Sequence, residues 1–144
     1  MVIKMEHGEE SNIIVVRLYD GEELLPALEQ IAGSYGIQSG IVLTGIGMLR
    51  EFTLGYYDGE EYKKTEFASP HELVTLQGSF AKCQGEMIVH AHGTLGGSDL
   101  NTVSGHIFGG TVNGLAEITI LKLNDIELYR ELNEISGLKE LHIR

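Results

Sequence analysis

The stretch HAHGTLGGSDLNTVSGH, residues 90–106, carries three of the chain's six histidines. On a strand, side chains alternate between faces, so His90 and His92 point the same way. They lie about 6.6 Å apart along such a strand. Zinc takes imidazole nitrogen at about 2.0–2.1 Å, so two rings at that spacing can converge on one ion. The Gly/Ser/Asp/Asn run between His92 and His106 reads as a turn centred near residues 98–99. In the resulting hairpin His106 falls opposite residue 90, 91 or 92. An even register sets it across from His90 or His92 and on their face. An odd register sets it across from Ala91 and on the wrong face, so a one-residue slip decides the matter.

Three imidazoles on one face make a neutral, nitrogen-rich half-shell. Zn2+ suits it, as do other divalent transition metals. Three protein ligands leave a position open, whereas closed structural zinc sites have four. Asp99, Glu72 and Glu117 are candidates for a fourth ligand or an outer partner. Glu72 and Glu117 are also weak candidates for a catalytic base, should a zinc-activated water attack a small electrophile. His7, His71 and His142 have no comparable neighbours and read as ordinary. So does Cys83, the one cysteine, which reads as a small apolar filler.

Other motifs carry less. TGIG (44–47) lacks the third glycine and the following helix of a dinucleotide loop, and reads as a strand end. GSF (78–80) is not G-x-S-x-G. The aromatic residues of FTLGYYDGEEY could line a pocket, but on strands such residues are more often packing, and they read as packing. Glu9, Glu10, Glu22, Glu23, Glu60 and Glu61 read as solvated faces.

The elements that must position the histidines follow from periodicity. IIVVRLY (13–19) is a β-branched strand. A helix is expected from about Glu22 to Tyr35, with Leu24, Leu28 and Ile31 on one face, Pro26 in the first turn and Gly36 just past the end. Strands are expected at 39–47, 52–58, 61–67, 72–81, 86–94, 100–112 and 115–123. Asp58-Gly59 and Asn113-Gly114 read as hairpin turns, the latter the strongest such signal in the chain. The tail allows a short helix near 127–134 and a final strand. The fold class expected is α+β: a mostly antiparallel β-sheet, one main α-helix packed on it, and a short C-terminal helix.

The chain has 144 residues and reads as one domain over 1–144. Its formal net charge is −11, and Lys63-Lys64 is its one adjacent basic pair. Such a chain repels phosphate backbones, which disfavours direct nucleic-acid binding. The start, MVIKMEHGEE, turns acidic at once and has no apolar core of a signal peptide. The longest apolar stretch, IVLTGIGML, is about half a membrane span. These features point to a cytoplasmic protein without membrane contact.

Taken in order, GEELLPALEQIA, GIVLTGIGMLREFTLGYYD, ELVTLQGSFA, HAHGTLGGSDLNTVSGHIFGGTV and AEITI resemble the PPC domain family, the domain shared by plants and prokaryotes. The resemblance runs from about Ile13 to Leu123. Its most specific part is H-x-H followed by G-H-x-x-x-G. In plant members this domain follows AT-hooks, basic R-G-R-P segments that bind the minor groove, and no such segment occurs here. The resemblance implies an antiparallel sheet with flanking helices, a homotrimer, protein partners, and a metal held by the residues matching His90, His92 and His106. Ser104 stands where a glycine is common, and GGSDLN loosens the usual turn. Two functions follow: a metal-binding trimer of regulatory or scaffolding type, associated with DNA by family analogy alone, or a zinc-dependent enzyme acting on a small molecule. A structural oligomer with the histidines at its interface is a third.

Overall fold

The computed structural model describes the backbone of Val2–Ile3 and all of residues 12–144. The readings of the remaining N-terminal residues, His7, Glu9 and Glu10 among them, lie outside the described residues. The elements are β1 (Val2–Ile3), β2 (Ile13–Tyr19), α1 (Leu24–Ser34), β3 (Gly40–Tyr57), β4 (Tyr62–Phe67), β5 (His71–Cys83), β6 (Glu86–Gly96), β7 (Thr102–Lys122), β8 (Leu128–Leu132) and β9 (Lys139–Ile143).

The strands form one sheet in the order β1-β2-β7-β3-β5-β8-β9, with β4 on β3 and β6 bridging β5 and β7. Because β3 pairs with both β5 and β7, and β6 also pairs with both, these four strands close on themselves. The helix lays Leu24, Ala27, Leu28, Ile31 and Ala32 on the core. Val16, Leu18, Ile118, Ile120 and Phe80 belong to the same core.

The α+β expectation is corrected. The chain is mostly β, and α1 is the only helix among the described residues. Residues 127–134 hold no second helix; Leu128–Leu132 form β8 there. Leu128 and Arg130 are buried while Tyr129 between them is not, a period of two rather than 3.6. Tyr129 pairs with Lys82 in parallel, and β9 pairs with β8 through a hairpin.

Asn113-Gly114 also departs from expectation: it lies inside β7, which runs through it unbroken. The halves of β7 find partners elsewhere. Residues 115–121 pair with β2, and β3 follows both halves across register shifts. Gly114 takes φ +83°, and its N–H donates to Asp20 Oδ1 at 2.8 Å. Arg50 Nη1 donates to the same Asp20 oxygen at 2.7 Å and to Asn113 Oδ1 at 3.1 Å. The pair therefore serves as a braced bend, since tertiary pairing outweighs the local turn preference. The segments 39–47 and 52–58 likewise fuse into β3, kinked at Glu51 with φ +50°.

Candidate metal centre

His90 and His92 stand on β6, and His106 stands on β7. The β6–β7 ladder runs from Gly96↔Thr102 to His92↔His106 and ends there, so the register is even. Past that point β6 continues along β5, with His90 opposite Ser79, while β7 continues along β3, with His106 opposite Gly55. The histidines thus sit where two strands part. Glycines permit this geometry. A Cβ on Gly78 would run into the His90 carbonyl oxygen, and one on Gly105 would lie 2.7 Å from the Gly55 carbonyl oxygen.

The three imidazoles offer ligand atoms that all lie within 4.8 Å of one another. His90 Nε2 and His92 Nε2 are 3.2 Å apart. Two nitrogens bound tetrahedrally at 2.0–2.1 Å would be about 3.3 Å apart, so this pair already has the spacing of ligands on one ion. His92 is exposed, and His90 and His106 are half-buried. Burial, then the charges of Arg130 and His92, pulls the His90 pKa down to about 4. Burial, then the neighbouring histidines, does the same for His106, also to about 4. Both rings are therefore neutral at pH 7, the form a metal binds. His106 Nδ1 is buried without a hydrogen-bond partner. The donor set fits a borderline transition ion such as zinc, which would supply Lewis acidity toward a small ligand at the open position.

The surroundings are built from segments far apart in the chain. Tyr62 lies over His106 with ring centres 4.9 Å apart, and Phe108 lies 4.5 Å from it. Lys64 caps Phe108 with its ammonium 4.0 Å from the ring centre. From β8, Arg130 Nη2 donates to His90 Nδ1 at 3.3 Å and to Ser79 Oγ at 3.0 Å. Its Nη1 donates to the Lys139 carbonyl at 2.8 Å. A cavity of about 450 Å³ opens beside the histidines, bounded by Tyr62, Ile88, Val89, Arg130 and Leu138 among others.

The acidic candidates lie elsewhere. Glu72 pairs with Gly96 and Met48, five residues along β5 from Gln77, the partner of His92. That is roughly 17 Å at the usual rise. Glu117 sits far along β7, opposite Arg17 and Ile46. Asp99 accepts from Asn101 in the turn after β6. Of the other histidines, His71 packs edge-on against Phe52, and His142 stacks on Tyr129. Arg130 escaped the sequence reading because its segment was read as helical. No local signal marks it, because the extended form of this segment comes from its pairing with β5 and β9. Tyr62 was read as packing, and it packs on a histidine.

A protein from Archaeoglobus fulgidus described as metal-containing is 30% identical, with a TM-score of 0.81, covering 97% of each chain. A candidate DNA-binding protein from Bacteroides thetaiotaomicron is 25% identical, with a TM-score of 0.88, covering 98% of this chain and 96% of that one. A bifunctional protein GlmU from Synechococcus is 30% identical over 135 residues, 92% of this chain. The chain spans only 20% of the length of that curated relative. The model of the Plants and Prokaryotes Conserved (PCC) domain matches residues 5–124. The chain therefore belongs to the PCC domain family.

Proposed function

We propose that this protein is a zinc-binding homotrimer of regulatory or scaffolding type, holding the ion through His90, His92 and His106. The observation that carries the reading is the convergence of three imidazole donors where β6 and β7 part. The metal-containing Archaeoglobus relative supports it. Assembly is supported by a sheet face on which, among the described residues, Val15, Leu43, Ile46, Val74 and Leu115 are exposed. Apolar faces of this kind mark interaction surfaces. At −11, any association with DNA runs through partner proteins rather than direct contact. We place the protein in the cytoplasm; no described helix is long and apolar enough to cross a membrane.

The cavity beside the histidines favours a second reading, a zinc-dependent enzyme acting on a small molecule. Among the described residues the cluster itself contains no carboxylate, and Glu140, which lines the cavity, is held by Asn133. Binding rather than turnover is the primary reading for that reason. The test is metal content by mass spectrometry beside a His90→Ala/His92→Ala/His106→Ala variant, with light scattering on both. One zinc per chain in the parent, none in the variant, and a trimeric mass support the proposal. No zinc in the parent after incubation with zinc salts overturns its metal half, and a monomeric mass overturns its assembly half.

A further inference from the structure

Arg130 is 8% exposed, yet among the described residues no carboxylate lies within 4.0 Å of its guanidinium. Its three hydrogen bonds go to neutral acceptors: a hydroxyl, a carbonyl and an imidazole. Its Nε–H is buried with no acceptor. A buried cation with no counter-ion among the described residues is costly. It borders the cavity beside the histidines, whose other walls include Tyr62, Ile88, Val89 and Leu138. Planar guanidinium donors match a carboxylate in two-point contact, and the walls match an apolar body. Glu140 at the rim is held by Asn133, and its negative charge disfavours a dianion such as phosphate.

We infer that this cavity binds a small monocarboxylate with an apolar body, its carboxylate held by Arg130 and its other end against Tyr62, Ile88 and Leu138. The inference rests on the metal site proposed above, because the two sites share His90. Arginine can only donate, so His90 Nδ1 must accept from Arg130. Neutral His90 then carries its proton on Nε2, facing His92 Nε2. For His90 Nε2 to ligate a metal, that proton must sit on Nδ1, and Arg130 loses this acceptor. The freed N–H is then available to a carboxylate. Metal and carboxylate therefore bind with positive coupling, and the coupling is reciprocal.

The experiment is calorimetric titration of 3-phenylpropionate into zinc-loaded and metal-free protein, with 3-phenylpropionamide and inorganic phosphate as comparisons. Zinc content is measured on the same samples. Arg130→Gln and Leu138→Glu are titrated alongside, the second because a half-exposed loop position tolerates the change even if Arg130→Gln fails to fold. The expected result is saturable binding of the carboxylate, at least tenfold tighter with zinc than without. The amide and phosphate do not bind, and each folded variant loses at least tenfold while retaining zinc. Full zinc loading with no carboxylate binding, or with binding unchanged in Leu138→Glu, overturns this inference alone. Binding of equal strength with and without zinc overturns the coupling. A parent that takes up no zinc is instead the failure of the metal reading.

Discussion

His90 and His106 hold their protons far more weakly in the fold than in the open chain. Their pKa values fall from 6.5 to about 4, mainly through burial. Between those values the unfolded chain binds protons that the native one does not. Stability of the metal-stripped protein is therefore lost as pH falls from 6.5 toward 4, and these two residues leave it unchanged above 6.5. Thermal melts at pH 7.5, 5.5 and 4.5 check this, and a melting temperature that stays level between the first two would contradict it. His92 is the exposed member of the cluster, and its ring lies against the other two imidazoles. His92→Ala is expected to change stability by no more than ~0.5 kcal/mol. The same change lowers zinc affinity by more than about tenfold, since a ligand matters at least as much as the groups behind it. Chemical denaturation and a competitive zinc chelator measure the two quantities. Metal loss without stability loss separates ligation from packing.

At the scale of elements, the site depends on how closely β5 and β6 approach. Gly78 pairs with Ala91, and a Cβ there would collide with the carbonyl of His90. Gly78→Ala should destabilise the protein by about 1–3 kcal/mol, in the range of overpacked interiors. It should also weaken zinc binding, although residue 78 donates nothing to the ion. Paired measurements of unfolding midpoint and zinc affinity test this. A variant that keeps full zinc affinity would show that the β5–β6 spacing does not set the position of His90. The strands β3, β5, β6 and β7 were legible as strands because β-branched and alternating residues mark them. Their lengths were not. The Asn113-Gly114 dipeptide has the local chemistry of a turn, yet β2 and β3 continue the pairing on either side. The β8 strand was missed for a related reason: ELYREL has helix-forming composition, and only β5 and β9 supply the ladder that makes it extended.

For the whole molecule, the sheet has one face under α1 and another that no other described element covers. Val15 and Ile46 on that second face are 52% and 50% exposed. If this face joins the copies of a trimer, Val15→Lys/Ile46→Lys should shift the light-scattering mass to that of a monomer and leave the far-ultraviolet spectrum unaltered. A variant that stays trimeric would move the interface elsewhere. The acidic charge belongs to this scale too, because repulsion of phosphate depends on the summed field rather than on any one side chain.

By itself the sequence determined the chemistry on offer: two histidines on one strand face, a third a turn away, and a neutral nitrogen donor set. It also determined the amphipathic helix, the period-two strands and the family resemblance, because composition and periodicity are local properties. The register of His106 was narrowed to two faces and no further, since a one-residue slip leaves the local pattern intact. Only the tertiary structure decided it, by pairing His92 with His106. Only the tertiary structure brought Arg130 and Tyr62 to the histidines and kept Glu72 and Glu117 away. Those placements depend on strand pairings between distant parts of the chain, and no local spacing encodes them.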